Sequence, residues 1–156
     1  MIENNKEGVR MLKGIPAVIS PELLKILAEM GHGDTIVIGD ANFAAASIAK
    51  EGRLVRADGM RGEVMADAIL QLMPLDEWAV SSVILMGYEA EDGTLQPLEM
   101  CQTILGIVEK YDKKAADTHR LVKRLEYYAK ARNAYAVLAT GTEHHYGCVI
   151  LQKGIL

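Results

Sequence analysis

The sequence predicts an α/β protein, a three-layer α/β/α sandwich built on a mixed, mainly parallel sheet. Short apolar runs, among them TIVIG at 35–39 and the segment 80–86 closed by Gly87, are too short for helices and end on glycine. Such runs mark strands buried on both faces. Segments with apolar residues every three or four positions alternate with them, the order that covers a parallel sheet with helices. The composition agrees: 50% of residues are hydrophobic but only 5% aromatic, with eight methionines, so the core is aliphatic. At 156 residues the length suits one domain, which buries roughly 68–70% of its unfolded surface without staples.

Each element has its own signal. Residues 1–10 are polar and aperiodic, an N-terminal extension, and the single domain is expected over 11–156. Ser20-Pro21-Glu22 starts a helix, serine as N-cap and proline in the first turn, with Leu23, Leu27 and Met30 on one face before Gly31. Residues 35–39 form a strand ending at Gly39-Asp40, and 53–56 a weaker one. A helix over 62–73 carries Val64, Ala68, Ile69 and Leu72 and stops at Pro74. A strand over 80–86 and a turn at Asp92-Gly93 follow. The periodicity predicts helices over 98–111 and 119–133, the second through Leu121, Leu125, Tyr128 and Arg132. Strands at 135–140 and 148–152 are joined by GTEHHYG, a length that fits a hairpin or an edge connection and gives one closing antiparallel pair.

Several functions are excluded or disfavoured. A formal net charge of −4, with dispersed Lys and Arg, offers no basic stripe for nucleic acid. No apolar run approaches a membrane span and the N-terminus lacks a signal-peptide core. Cys101 and Cys148 have neither zinc-site nor disulfide-framework spacing, so no metal site is expected and the compartment reads as cytoplasmic. His144 and His145 lack a third ligand at regular spacing and read as loop residues. GHGD at 31–34 is not a dinucleotide or P-loop pattern.

The polar residues that remain have two readings each. Asp40 ends a strand, where open α/β sheets bind ligands, and can accept hydrogen bonds from vicinal hydroxyls. Equally, it can cap a helix starting near Asn42. His32, between two glycines, can give and take a proton at neutral pH, or simply sit at a helix end capped by Gly31. Arg124 and Tyr128 are i, i+4 neighbours, either an anchoring pair or a solvated face.

ISPELLKILAEMGHGDTIVIGDANF at 19–43, RADG at 56–59, the Arg124 and Tyr128 pair, and AVLATG…YG ending in VILQKG resemble the fucose branch of the fucose mutarotase and ribose pyranase family. The resemblance runs from Met11 to the C-terminus and is weaker through 75–120. It implies a cofactor-free isomerase that interconverts the α and β anomers of a monosaccharide, with L-fucose or a related aldopyranose as substrate. His32 matches the proton donor; Asp40, Arg124, Tyr128, Tyr146 and Cys148 match sugar-binding positions. It also implies a ring-like homo-oligomer, typically a decamer, with sites at subunit boundaries. Two positions depart from the pattern: Cys148 stands where the family's YGN turn has asparagine, and Asn42 where histidine is frequent. A thiol, a weak donor and a weak acceptor, is a poor replacement for an amide that does both well. The alternatives are a ribose-type pyranase and a non-catalytic sugar-binding or transport-accessory protein.

Overall fold

The structure, a computed structural model, describes residues 12–50 and 52–156. The extension at 1–10 and the domain start at Met11 lie outside the described residues. The elements are α1 (Pro21–Glu29), β1 (Thr35–Gly39), α2 (Ala45–Ala49), β2 (Arg53–Ala57), α3 (Gly62–Leu70), β3 (Val83–Met86), β4 (Tyr88–Glu89), β5 (Leu95–Gln96), α4 (Glu99–Tyr111), α5 (Lys113–Asp117), β6 (Arg120–Val122), α6 (Arg124–Ala131), β7 (Ala136–Thr140) and β8 (Val149–Gln152). Among the described residues no helix is long and apolar enough to cross a membrane.

Six strands form one sheet in the order β2-β7-β1-β8-β3-β6, and β4 pairs separately with β5. The predicted sandwich is present. Along β1, Ile36 and Ile38 enter one core layer with α1, α3 and α4, while Val37 joins the opposite layer with Ile48 of α2 and Tyr127 of α6. That alternation is the two-residue period of a strand buried on both faces. Ser20 caps α1 as expected, its Oγ accepting from Leu23 N at 3.1 Å.

Two elements differ from the sequence reading. β7 and β8 are not a pair: β1 lies between them, parallel to β7 and antiparallel to β8. β8 is also antiparallel to β3, so this one reversed strand joins two parallel halves. Stepping across β1 requires about 10 Å, which the loop 141–148 spans, clipped on the way by Ala41 N donating to Thr142 O at 2.7 Å. The predicted helix over 119–133 is also divided. Arg120–Val122 is an edge strand parallel to β3, and the helix starts only at Arg124. Leu121 and Leu125 therefore share no helix face, and Leu125 is 79% exposed. A segment that completes an exposed sheet edge gains ladder hydrogen bonds that periodicity alone does not register. Two bounds shift for the same kind of reason. Val80 is solvent-exposed, so β3 starts at Val83, and Val64 points outward on α3 while Met65, Ala66 and Ile69 face the core.

Candidate functional site

Five of the six sheet strands run in one direction, so their carboxyl ends share one edge, and β8, running the other way, begins at that edge. Asp40 just past β1, Met86 at the end of β3, Cys148 just before β8 and Arg124 just past β6 are thereby gathered at one place. They border a cavity of about 590 Å³, completed by Phe43, Tyr128, His145 and Tyr146. Its volume and position are those of a small-molecule site at the carboxyl edge of an open sheet. Five residues singled out in the sequence, Asp40, Arg124, Tyr128, Tyr146 and Cys148, thus meet in one pocket.

The polar side of the cavity centres on Asp40, which is 6% exposed. Its Oδ1 accepts from Asn42 N at 2.9 Å and its Oδ2 from the Cys148 thiol at 3.2 Å. Asp40 is not a helix cap, because α2 starts later, on Ala44, with no side-chain cap. Burial, and then the charge of Asp40, push the Cys148 thiol well above its ordinary pKa. The sulfur therefore keeps its proton and donates it to the carboxylate. Behind this pair the Tyr127 hydroxyl is buried without a hydrogen-bond partner among the described residues, its pKa raised by burial first and then by the neighbouring acidic groups of Cys148 and Asp40.

The opposite side is aromatic. Tyr128 stacks on Phe43 with ring centroids 5.4 Å apart, and the Arg124 guanidinium lies 5.8 Å from the Tyr128 ring. Arg124 and Tyr128 thus lie together at the cavity, Arg124 solvent-exposed and Tyr128 half-buried. Tyr146 is held at φ 56°, a left-handed conformation uncommon for a residue with a side chain and one that concentrates at ligand sites. The loop that carries it is anchored from below: Gly62 N donates to Thr142 Oγ1 at 2.5 Å and Gly141 N to Met60 O at 2.8 Å. A side chain at Gly141 has no room, since its Cβ would lie 2.1 Å from Asp58 O. A carboxylate and a guanidinium facing a pair of rings suit a small polyol with one apolar face.

His32 is elsewhere. It precedes β1 and so lies at the amino edge, separated from Asp40 by the whole strand, about 17 Å for five residues. Its Nε2 is 3.0 Å from Asp76 Oδ1, and its ring meets Trp78 edge-on at 5.0 Å. Burial acts to raise the Asp76 carboxyl, but hydrogen bonds from His32, Trp78 N and Gln152 outweigh it and hold the pKa below the usual range. His32 does not serve the end of α1. The Lys153 ammonium does, donating to Leu27 O at 2.7 Å and Met30 O at 2.6 Å. Nor is Gly31 the left-handed residue there; Gly33 is, at φ 87°. One chain therefore does not bring His32 to the cavity that holds the other five residues.

Phe43 and His145 escaped the sequence reading as cavity residues. Phe43 is the chain's single phenylalanine, placed four residues past a strand, and that position was the available signal. His145 lies in the loop after β7, another strand whose carboxyl end is at this edge, and that position was its signal.

Over residues 13–156 the chain matches the RbsD / FucU transport protein family. It is 43% identical over 149 residues to the fucose mutarotase of Mus musculus, covering 93% of this chain and 95% of that one. Among solved structures it is similar to FucU from Bifidobacterium longum, with a TM-score of 0.84 at 42% identity, covering 92% of this chain and 99% of the other. The fucose mutarotase from Streptococcus pneumoniae in complex with L-fucose also aligns with a TM-score of 0.84, at 39% identity over 93% of this chain and 99% of that chain.

Proposed function

The chain belongs to the RbsD / FucU transport protein family, and on that premise we propose that it is a sugar mutarotase acting on L-fucose or a closely related aldopyranose. The observation that carries the reading is the convergence of Asp40, Arg124, Tyr128, Tyr146 and Cys148 on one cavity of monosaccharide size with an aromatic wall. Mutarotation opens a pyranose by taking the proton of the anomeric hydroxyl, breaking the C1–O5 bond and protonating O5; rotation about C1–C2 and closure on the other face complete it. Protein groups need only position the sugar and move protons, work that general acid–base catalysis accelerates by about 10²–10⁴-fold. Asp40 and Arg124 hold hydroxyls, Tyr128 and Phe43 cover the apolar face, and Tyr146 closes the mouth.

His32 is the acid/base on this reading, and it reaches the cavity of a second copy. Its surroundings support such a contact: Trp78 beside it is 69% exposed and Val80 93% exposed, an apolar surface suited to a partner. The assembly is a closed homo-oligomer, of the decameric ring type, in which a heterologous contact repeats around an axis. Light scattering checks it: a particle of single-chain size that still exchanged anomers would sink the shared site.

The deciding experiment is NMR exchange on a panel of aldoses, in which the protein is expected to transfer magnetisation between α and β anomeric signals of L-fucose most strongly. No transfer on any aldose, with the sugar still bound, would favour the binding-protein alternative; transfer on D-ribose alone would favour a pyranase. Cys148 sets a further expectation. Its one proton is already committed to Asp40, so the sugar gains no donor from this position. Cys148→Asn is expected to tighten L-fucose binding by the worth of one neutral hydrogen bond, about 1 kcal/mol, measured by titration calorimetry. Unchanged affinity would place the contact on the backbone instead.

A further inference from the structure

We propose that His145 is a second proton-transferring residue of the cavity, serving one of the two sugar oxygens that exchange a proton during ring opening while the His32 of a second copy serves the other. This rests on the mutarotase reading and adds a residue to it. The reaction moves two protons, one off the anomeric O1 and one onto O5, at atoms on different sides of the bond that breaks. Among the side chains of this chain that border the cavity, His145 alone is of a type that gives and takes a proton near neutral pH. Asp40 already accepts from Asn42 N and the Cys148 thiol. The Cys148 thiol is held protonated by burial and by the charge of Asp40. Guanidinium and phenol side chains, which also border the cavity, are not groups of that type.

The imidazole is also free to act. His32 is paired with Asp76 and His119 Nδ1 lies 2.7 Å from Ala116 O, whereas no hydrogen bond or ion pair engages His145 among the described residues. Its side chain is exposed at the mouth of the cavity, but its backbone is set from both sides. Tyr146 follows at φ 56°, and Gly147 N donates to His144 O at 3.2 Å, closing a tight turn around it. A side chain at Gly147 would press on Thr142 Cγ2 at 3.0 Å and His144 O at 3.1 Å, so the turn has no slack. An unpaired imidazole on a braced turn beside the sugar-binding groups is placed for proton transfer rather than for structure.

The steps balance without any further reactant. His145 takes the O1 proton as the C1–O5 bond breaks, and O5 receives a proton from the His32 of the second copy. After rotation about C1–C2, O5 attacks the carbonyl from the other face, returning its proton to that His32, and His145 gives its proton back to O1. Both imidazoles end as they began.

The test is His145→Gln, which keeps a polar side chain of similar reach but can neither take up nor release a proton, on the assembled protein with L-fucose as the probe. The saturated exchange rate is expected to fall by about 10²-fold or more, with KM changed by less than about threefold. Free imidazole added to the solution is expected to restore part of that rate in H145Q and leave the wild type unaffected. A rate within about twofold of wild type overturns the inference, as does a rise in KM alone without imidazole rescue, which would make His145 only part of the wall. Wild-type protein that exchanges no aldose overturns the mutarotase reading and this inference with it; wild-type exchange undiminished in H145Q overturns this inference alone.

Discussion

Replacing His32 by alanine is expected to lower anomer exchange by about 10²–10⁴-fold, the range for losing a general acid–base, while leaving the fold and the particle size intact. The fold survives because nothing buried is orphaned. Asp76 keeps the Trp78 N–H at 3.0 Å and the Gln152 amide at 3.0 Å, and the end of α1 is held by Lys153. The His32 side chain is 35% exposed, so its pairing with Asp76 contributes no more than about 1 kcal/mol to stability. Thermal unfolding separates the outcomes: a large loss of melting temperature in step with activity would return His32 to a structural role. Mixing supplies a sharper check. If the imidazole of one copy serves the cavity of the next, His32→Ala and Arg124→Ala proteins, each inactive alone, should regain activity on co-assembly. Random one-to-one mixing pairs an intact imidazole with an intact cavity in about a quarter of sites. Complementation that never exceeds the sum of the two variants would mean that no site is shared.

Asp40→Asn is expected to weaken sugar binding far more than it weakens the protein. An asparagine Oδ1 retains the bond from Asn42 N, now 2.9 Å, and its amide faces the Cys148 sulfur, a weak acceptor. The folded state thus loses little. What disappears is a charged acceptor for the sugar hydroxyls, and hydrogen bonds to charged groups contribute about 1.5–3 kcal/mol, so KM should rise roughly 10- to 150-fold. Calorimetric titration with L-fucose beside thermal melts reads both quantities. If the melting temperature falls while affinity holds, Asp40 serves chiefly to close the turn at the end of β1.

Much of the molecule was legible in the chain itself. Ser20 and Pro21 announce α1, and the buried run 35–39 announces β1, because caps and strand burial are written in adjacent residues. The alternation of strands and helices also determines the sandwich. Arg124 and Tyr128 stand out because four residues of helix put them on one face. Other features are decided only by contacts between distant segments. The bond between Asp40 and Cys148 joins residues 108 positions apart, and no local pattern encodes it. Whether 148–152 turns back on 135–140 or crosses β1 depends on which edge of β1 lacks a partner, and whether 120–122 coils or extends depends on the open edge of β3. Which groups are available for the chemistry is a matter of residue type and local spacing, and so is readable along the chain. Their company is set by the fold, which holds His32 and Asp40 at opposite edges of the sheet, because a buried strand is straight and the residues at its two ends cannot meet within one chain.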